Sequence, residues 1–186
     1  MERETLRGCK RIVVKAGIDS ITYPTGKINL GKMESLSRDL SNLHSAGREV
    51  VLISSGAVGA GVGKLDCSPS LALPEKQALA AVGQGILIHM YEKFFSEHSK
   101  NVAQILLTRD CFSDPKRYSD LRSTFFSLLN FGVIPIVNEN GAVAADGLQF
   151  GDDDALSAMV ARNVEADLLV ILVGNSKGEG NARIHR

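Results

Sequence analysis

Residues 133–157 read VIPIVNENGAVAADGLQFGDDDALS, and the change of character along this stretch decides how the chain is organised. Val133, Ile134, Pro135, Ile136 and Val137 form an apolar run of the length of a buried strand. Asn138, Glu139, Asn140 and Gly141 end it at once. Gly151 and the carboxylates of Asp152, Asp153 and Asp154 then lead into Ala155, Leu156 and Ser157, where an apolar pattern with helical spacing begins. In an open α/β sheet, ligands sit outside the carboxyl ends of the strands, so polar residues at such a break are candidates for contact. Three carboxylates at a helix start complement the helix dipole by themselves. In that crevice they are equally suited to face a cationic substrate group, a lysine or a metal.

The same alternation extends through the chain. RIVVK at 11–15 reads as a first buried strand ending at Lys15 and Gly17. Leu30, Met33, Leu36, Leu40 and Leu43 recur at three- and four-residue intervals, predicting an amphipathic helix over 30–46 that stops at Gly47. Residues 50–53 are a second strand that runs into Ser54, Ser55, Gly56, Ala57, Val58, Gly59, Ala60 and Gly61. A long helix is predicted over 75–95, interrupted by Gly83, Gln84 and Gly85. Each helical glycine costs about 1 kcal/mol relative to alanine, so a pair of them points to close approach by another backbone or a ligand. A third strand over 102–107 ends at Thr108 and Arg109, a helix follows over 120–130, and Gly132 stops it. A further helix over 154–164 and a last strand over 167–173 complete the pattern. Residues 174–186, GNSKGEGNARIHR, carry no apolar periodicity and are expected to be an unstructured tail after a single domain over 1–173. The expected fold class is α/β with a largely parallel sheet covered on both faces.

Composition narrows the function. A chain of 186 residues with 44% hydrophobic content has room for one globular core. Lys plus Arg equals Asp plus Glu at 21 each, so no global field favours nucleic acid or an anionic membrane. Cys9, Cys67 and Cys111 have neither even number nor metal-ligand spacing, which fits a reducing, cytoplasmic compartment. The first ten residues lack the apolar core of a signal peptide, and no apolar run is long enough to span a bilayer. The four histidines have no ligand spacing, so neither a metal site nor a Ser-His-Asp triad is expected.

Four strand ends then carry the candidate chemistry, all opening on one edge of a parallel sheet. Lys15 beside Gly17 can hold an ammonium over a phosphate. Ser54 to Gly61, with three glycines in six positions, exposes backbone N–H groups where a helix begins, although it is not the P-loop pattern. Thr108 and Arg109 can fork onto an anion, or Arg109 can pair with Asp110 at the surface. The fourth end is the opening stretch. Its amides and carboxylates suit the ammonium of a zwitterionic amino acid whose carboxylate rests on the turn at Ser55.

VVKAG at 13–17, ISSGAVGAG at 53–61, KQALAAVGQ at 76–84, QILLTR at 104–109, IPIVNEN at 134–140 and GDDDALSA at 151–158 together resemble the amino acid kinase family. The resemblance covers the chain from about Arg11 to Val173 and implies a three-layer αβα sandwich with a mainly parallel open sheet. It implies transfer of the γ-phosphoryl group of ATP, brought as its Mg2+ complex, to the side-chain carboxylate of L-glutamate, a step of proline biosynthesis. It further implies proline as a feedback inhibitor and a homo-oligomeric assembly. By that resemblance Lys15 and Asp154 are catalytic, the lysine neutralising the transferring phosphoryl and the aspartate organising the lysine. Lys15 and Gly17 meet the nucleotide. Ser55, Gly56, Ala57, Asn138, Asn140, Gly141, Asp152 and Asp153 bind the acceptor, and no residue is expected to hold a metal of its own.

The chain departs from the family pattern at several of these positions. Gly141 stands where the family has an aspartate, Asp153 where it has an asparagine, and Ile18 and Asp19 where it has small hydroxyl residues. After Val173 the family's nucleotide-site residues are replaced by Gly174, Asn175 and Ser176. Weak or absent catalysis by this chain alone is therefore expected. Two alternatives stand beside it: a non-catalytic form that pairs with a longer kinase, and a kinase for another amino acid such as aspartate or acetylglutamate.

Overall fold

Valine and isoleucine runs too apolar for a half-exposed strand build the centre of the sheet, where β1 (Arg11–Ala16) and β2 (Glu49–Ser54) lie side by side in parallel with Val13 opposite Val51. The structure, a computed structural model, describes residues 8–67, 72–143, 153–173 and 181–185. Its sheet also holds β3 (Val102–Leu107), β4 (Ile134–Glu139), β5 (Leu168–Val173) and β6 (Asn181–His185), in the order β3-β4-β2-β1-β5-β6. The first five strands of that order are parallel, and β6 alone runs antiparallel, on β5. A mainly parallel α/β sheet was the expected architecture, and it is the one found.

Successive strand residues point to opposite faces, and each face has its own core. Ile12, Val14, Ala16, Val50 and Leu52 pack under α2 (Leu30–Ser45), α3 (Ala57–Leu65) and α4 (Leu73–Ser96). Val13, Val51, Ile53, Val137 and Ile171 pack under α6 (Pro115–Asn130) and α7 (Asp153–Asn163). Two short helices, α1 (Ile18–Ile21) and α5 (Asp110–Ser113), lie in the loops after β1 and β3. The chain leaves β1 and β2 toward the first face and leaves β3 and β4 toward the second. Because β2 and β4 are neighbours, with Ile53 opposite Val137, the direction of departure reverses between them. That reversal opens a crevice at their carboxyl ends.

The structure differs from expectation where local chemistry outweighs periodicity. Helix α6 begins at Pro115 instead of residue 120, because the Asp114 carboxylate caps it by accepting the Arg117 N–H at 2.9 Å and proline suits the first helical position. The polar stretch after Gly17 folds into α1 and a small bridge between Thr22 and Ile28. Asn181–His185, in the segment expected to be an unstructured tail, pair with β5 as an edge strand, with Val173 opposite Asn181. Edge pairing is satisfied by main-chain hydrogen bonds and demands no apolar pattern.

At the opposite end of the sheet the Asp167 carboxylate accepts the N–H groups of Arg11 and Lys10, each at 2.7 Å, and these bonds hold its carboxyl below the ordinary value of 3.8. A carboxyl depressed on folding contributes stability above its unfolded pKa and loses it as pH falls through the folded one. Asp167→Ala should therefore cost less than about 1 kcal/mol in urea unfolding at pH 7, since solvent screens this exposed carboxylate, and the gap to the unmodified chain should close steadily below about pH 4.

Candidate active site

Lys15 is the penultimate residue of β1 and lies on the face covered by α7. Its side chain is only 13% exposed, and its Nζ lies 3.0 Å from Oδ1 of Asp154, the second residue of α7. A carboxylate in the first turn of a helix is favoured by the dipole, so it suits the role of anchoring that ammonium. Gly17 keeps the space over the ammonium clear, since a Cβ there would stand 3.4 Å from both Lys15 Nζ and the Leu172 carbonyl oxygen. The sequence-predicted pair of Lys15 and Asp154 is thus brought together across 139 residues.

On the β2 side of the crevice, Ser54 and Ser55 part company. Ser54 ends β2 on the α4 face, where its hydroxyl is 3.0 Å from that of buried Tyr91. Burial pushes the Tyr91 hydroxyl up to about 12, so the pair is neutral and structural. Ser55, also buried, begins the turn into α3. Gly56 adopts φ +95°, a left-handed conformation that disfavours any side chain, and α3 starts behind it with no side-chain cap. The first N–H groups of a helix have no intrahelical acceptors, so this turn suits an anion. Ile18 and Ile21 of α1 stand over the turn, each within 3.7 Å of where a Gly56 Cβ would be. Lys32 holds α1 there by donating to the carbonyls of Asp19 at 2.9 Å and Thr22 at 2.7 Å.

On the β4 side, Asn138 turns its side-chain oxygen onto the Glu139 N–H at 2.8 Å. The Asn140 N–H donates to Leu107 at 2.8 Å and the Gly141 N–H to the Glu139 carbonyl at 2.9 Å, so the loop is tied to β3 and to itself. Asn138 and Asn140 are half-buried and Gly141 is buried. Asp152 lies outside the described residues, as does the side chain of Asp153, the first residue of α7. At the end of β3, Thr108 and Arg117 both donate to the Asp110 carboxylate, and these bonds, with the Arg117 charge, hold its carboxyl below its ordinary value.

One participant escaped the sequence reading. Gln84, in the first half of α4, is buried, and its Nε2 donates to the Glu139 carbonyl at 2.7 Å, across 55 residues of sequence. Its flanking glycines were the available signal. Among the described residues no three His, Cys, Asp or Glu side chains gather as a metal site, and no helix is long and apolar enough to cross a membrane.

A pinned ammonium and an uncapped helix start, on neighbouring strands of one sheet edge, make an arrangement suited to bringing two anionic groups together. The pattern of the amino acid kinase family matches residues 10–176. The chain belongs to the amino acid kinase family. It is 55% identical over 163 residues to a glutamate 5-kinase of Caldanaerobacter subterraneus subsp. tengcongensis, a match covering 87% of this chain and 44% of that protein. It is 53% identical over 171 residues to the glutamate 5-kinase of Moorella thermoacetica, covering 91% and 45%. With that of Clostridium acetobutylicum the identity is 48% over 168 residues, covering 90% and 63%. The chain therefore spans about half the length of these amino acid kinase relatives, and the family pattern over 10–176 takes in Lys15, the Ser55 turn, the β4 loop and Asp154.

Proposed function

We propose that this chain carries the acceptor-binding and phosphoryl-facing part of a glutamate 5-kinase, which moves the γ-phosphoryl group of ATP onto the side-chain carboxylate of L-glutamate in proline biosynthesis. The observation that carries the reading is the 3.0 Å contact between Lys15 and Asp154 at the sheet edge beside the Ser55 turn. In this reaction a carboxylate oxygen of glutamate forms a bond to the γ-phosphorus while the bond from that phosphorus to the bridging oxygen of ADP breaks. The attacking carboxylate is already ionised, so no base has to remove a proton. Positioning and charge compensation are what remain for the protein to supply.

Lys15 offsets the charge on the transferring group, and Asp154 fixes where that ammonium sits. Ser55, Gly56 and Ala57 receive the α-carboxylate of the acceptor. Asn138, Asn140 and Gly141, with Asp152 and Asp153, form the side that meets its ammonium. ATP arrives as its magnesium complex over Gly17. Calorimetry on the chain should detect L-glutamate and a much weaker response to L-aspartate and N-acetylglutamate. Equal binding of aspartate, or no binding of glutamate, would overturn the substrate. Turnover by the chain alone is expected to fall well below the roughly 1 to 100 per second of complete kinases.

A further inference from the structure

We infer that Gln84 is a positioning residue for the acceptor loop: its side-chain amide fixes the carboxyl end of β4 through the Glu139 carbonyl without touching the acceptor. The inference rests on the proposed acceptor site and deepens it. Gln84 is 6% exposed, in a stretch of α4 whose other inward residues, Leu79, Ala80 and Leu87, are apolar. A buried amide in such a place must find a partner. It finds the Glu139 carbonyl, which also accepts the Gly141 N–H, so one oxygen holds both the helix and the turn that carries Asn140 and Gly141.

At Gly83, the preceding residue, an added Cβ would lie 1.7 Å from the Ala57 carbonyl oxygen, so the α4 backbone is seated against the start of α3. Gln84 lines a small cavity with Ser54, Tyr91 and Asn138, and its side-chain amide N–H is directed onto the Glu139 carbonyl. Gln84 therefore acts through Glu139.

Amide hydrogen exchange on the unmodified chain, Gln84→Leu and Gln84→Met tests this, since neither replacement has a group that can donate a hydrogen bond. Exchange at Asn140, Gly141 and Val143 should rise about tenfold in both variants while Val13 and Val51 keep their protection, and glutamate affinity should fall about tenfold in calorimetry. Unchanged exchange at the three loop amides overturns the proposal. So does an equal rise at Val13 and Val51, which would make Gln84 a general packing residue. If the unmodified chain binds no glutamate, the acceptor reading fails, while the exchange pattern still decides whether Gln84 holds the loop.

Discussion

Gly83→Ala is expected to destabilise the chain by about 3 kcal/mol, although alanine is the better helix former by about 1 kcal/mol. The new methyl carbon would stand 1.7 Å from the Ala57 carbonyl oxygen, 2.7 Å from its carbon and 2.8 Å from the Gly61 nitrogen. These are backbone atoms of another helix, which no rotamer change can move aside. Relief requires α3 and α4 to separate, and that opens the core containing Leu52, Ala60, Ala80 and Leu87. Gly61→Ala meets the reciprocal obstacle at the Leu79 carbonyl oxygen, 2.1 Å away. Gly85→Ala, two residues on in the same helix, meets nothing within 4 Å and should stabilise by about 0.4–1 kcal/mol. Urea unfolding of the three variants checks both signs. Equal midpoints for the Gly83 and Gly85 variants would refute the backbone contact.

On the proposed kinase reading, Lys15→Met should lower glutamate-dependent phosphoryl transfer by a factor of about 10² to 10³, the usual consequence of losing a charge aimed at the reacting group. Stability should change little. Methionine fills the half-buried stem space, and the Asp154 side chain, 42% exposed, keeps its contact with water. Transfer from γ-labelled ATP reads the first effect at slow rates, and a thermal melt reads the second. A variant that keeps more than a tenth of the unmodified rate would remove Lys15 from the phosphoryl-transfer step.

The elements were legible because both hydrophobic periods are written plainly in the chain. The apolar run at 134–137 and the leucines of α2 announce strand and helix without help from tertiary structure. The strand ends stood out as candidate chemistry because lysine, serine and asparagine stand where apolar residues stop. Strand order was not legible, since nothing local tells β4 to enter between β2 and β3. The same holds for contacts formed only by that order. Gln84 reads as one polar residue in a long helix until β4 arrives beneath it. Gly83 and Gly85 look equivalent in sequence, yet one abuts α3 and the other faces open space. Ser54 and Ser55 could have been separated by strand alternation, which sends them to opposite faces.

Consecutive residues of α4 touch both walls of the crevice: Gly83 abuts Ala57 behind the anion turn, and Gln84 grips Glu139 before the loop. The helix thus serves as a ruler laid across the pocket. On the proposed acceptor reading the two walls hold the α-carboxylate and the α-ammonium, which share one carbon, so the fixed backbone span sets the orientation of that carbon, and with it the direction of the side chain, through residues that never meet the ligand.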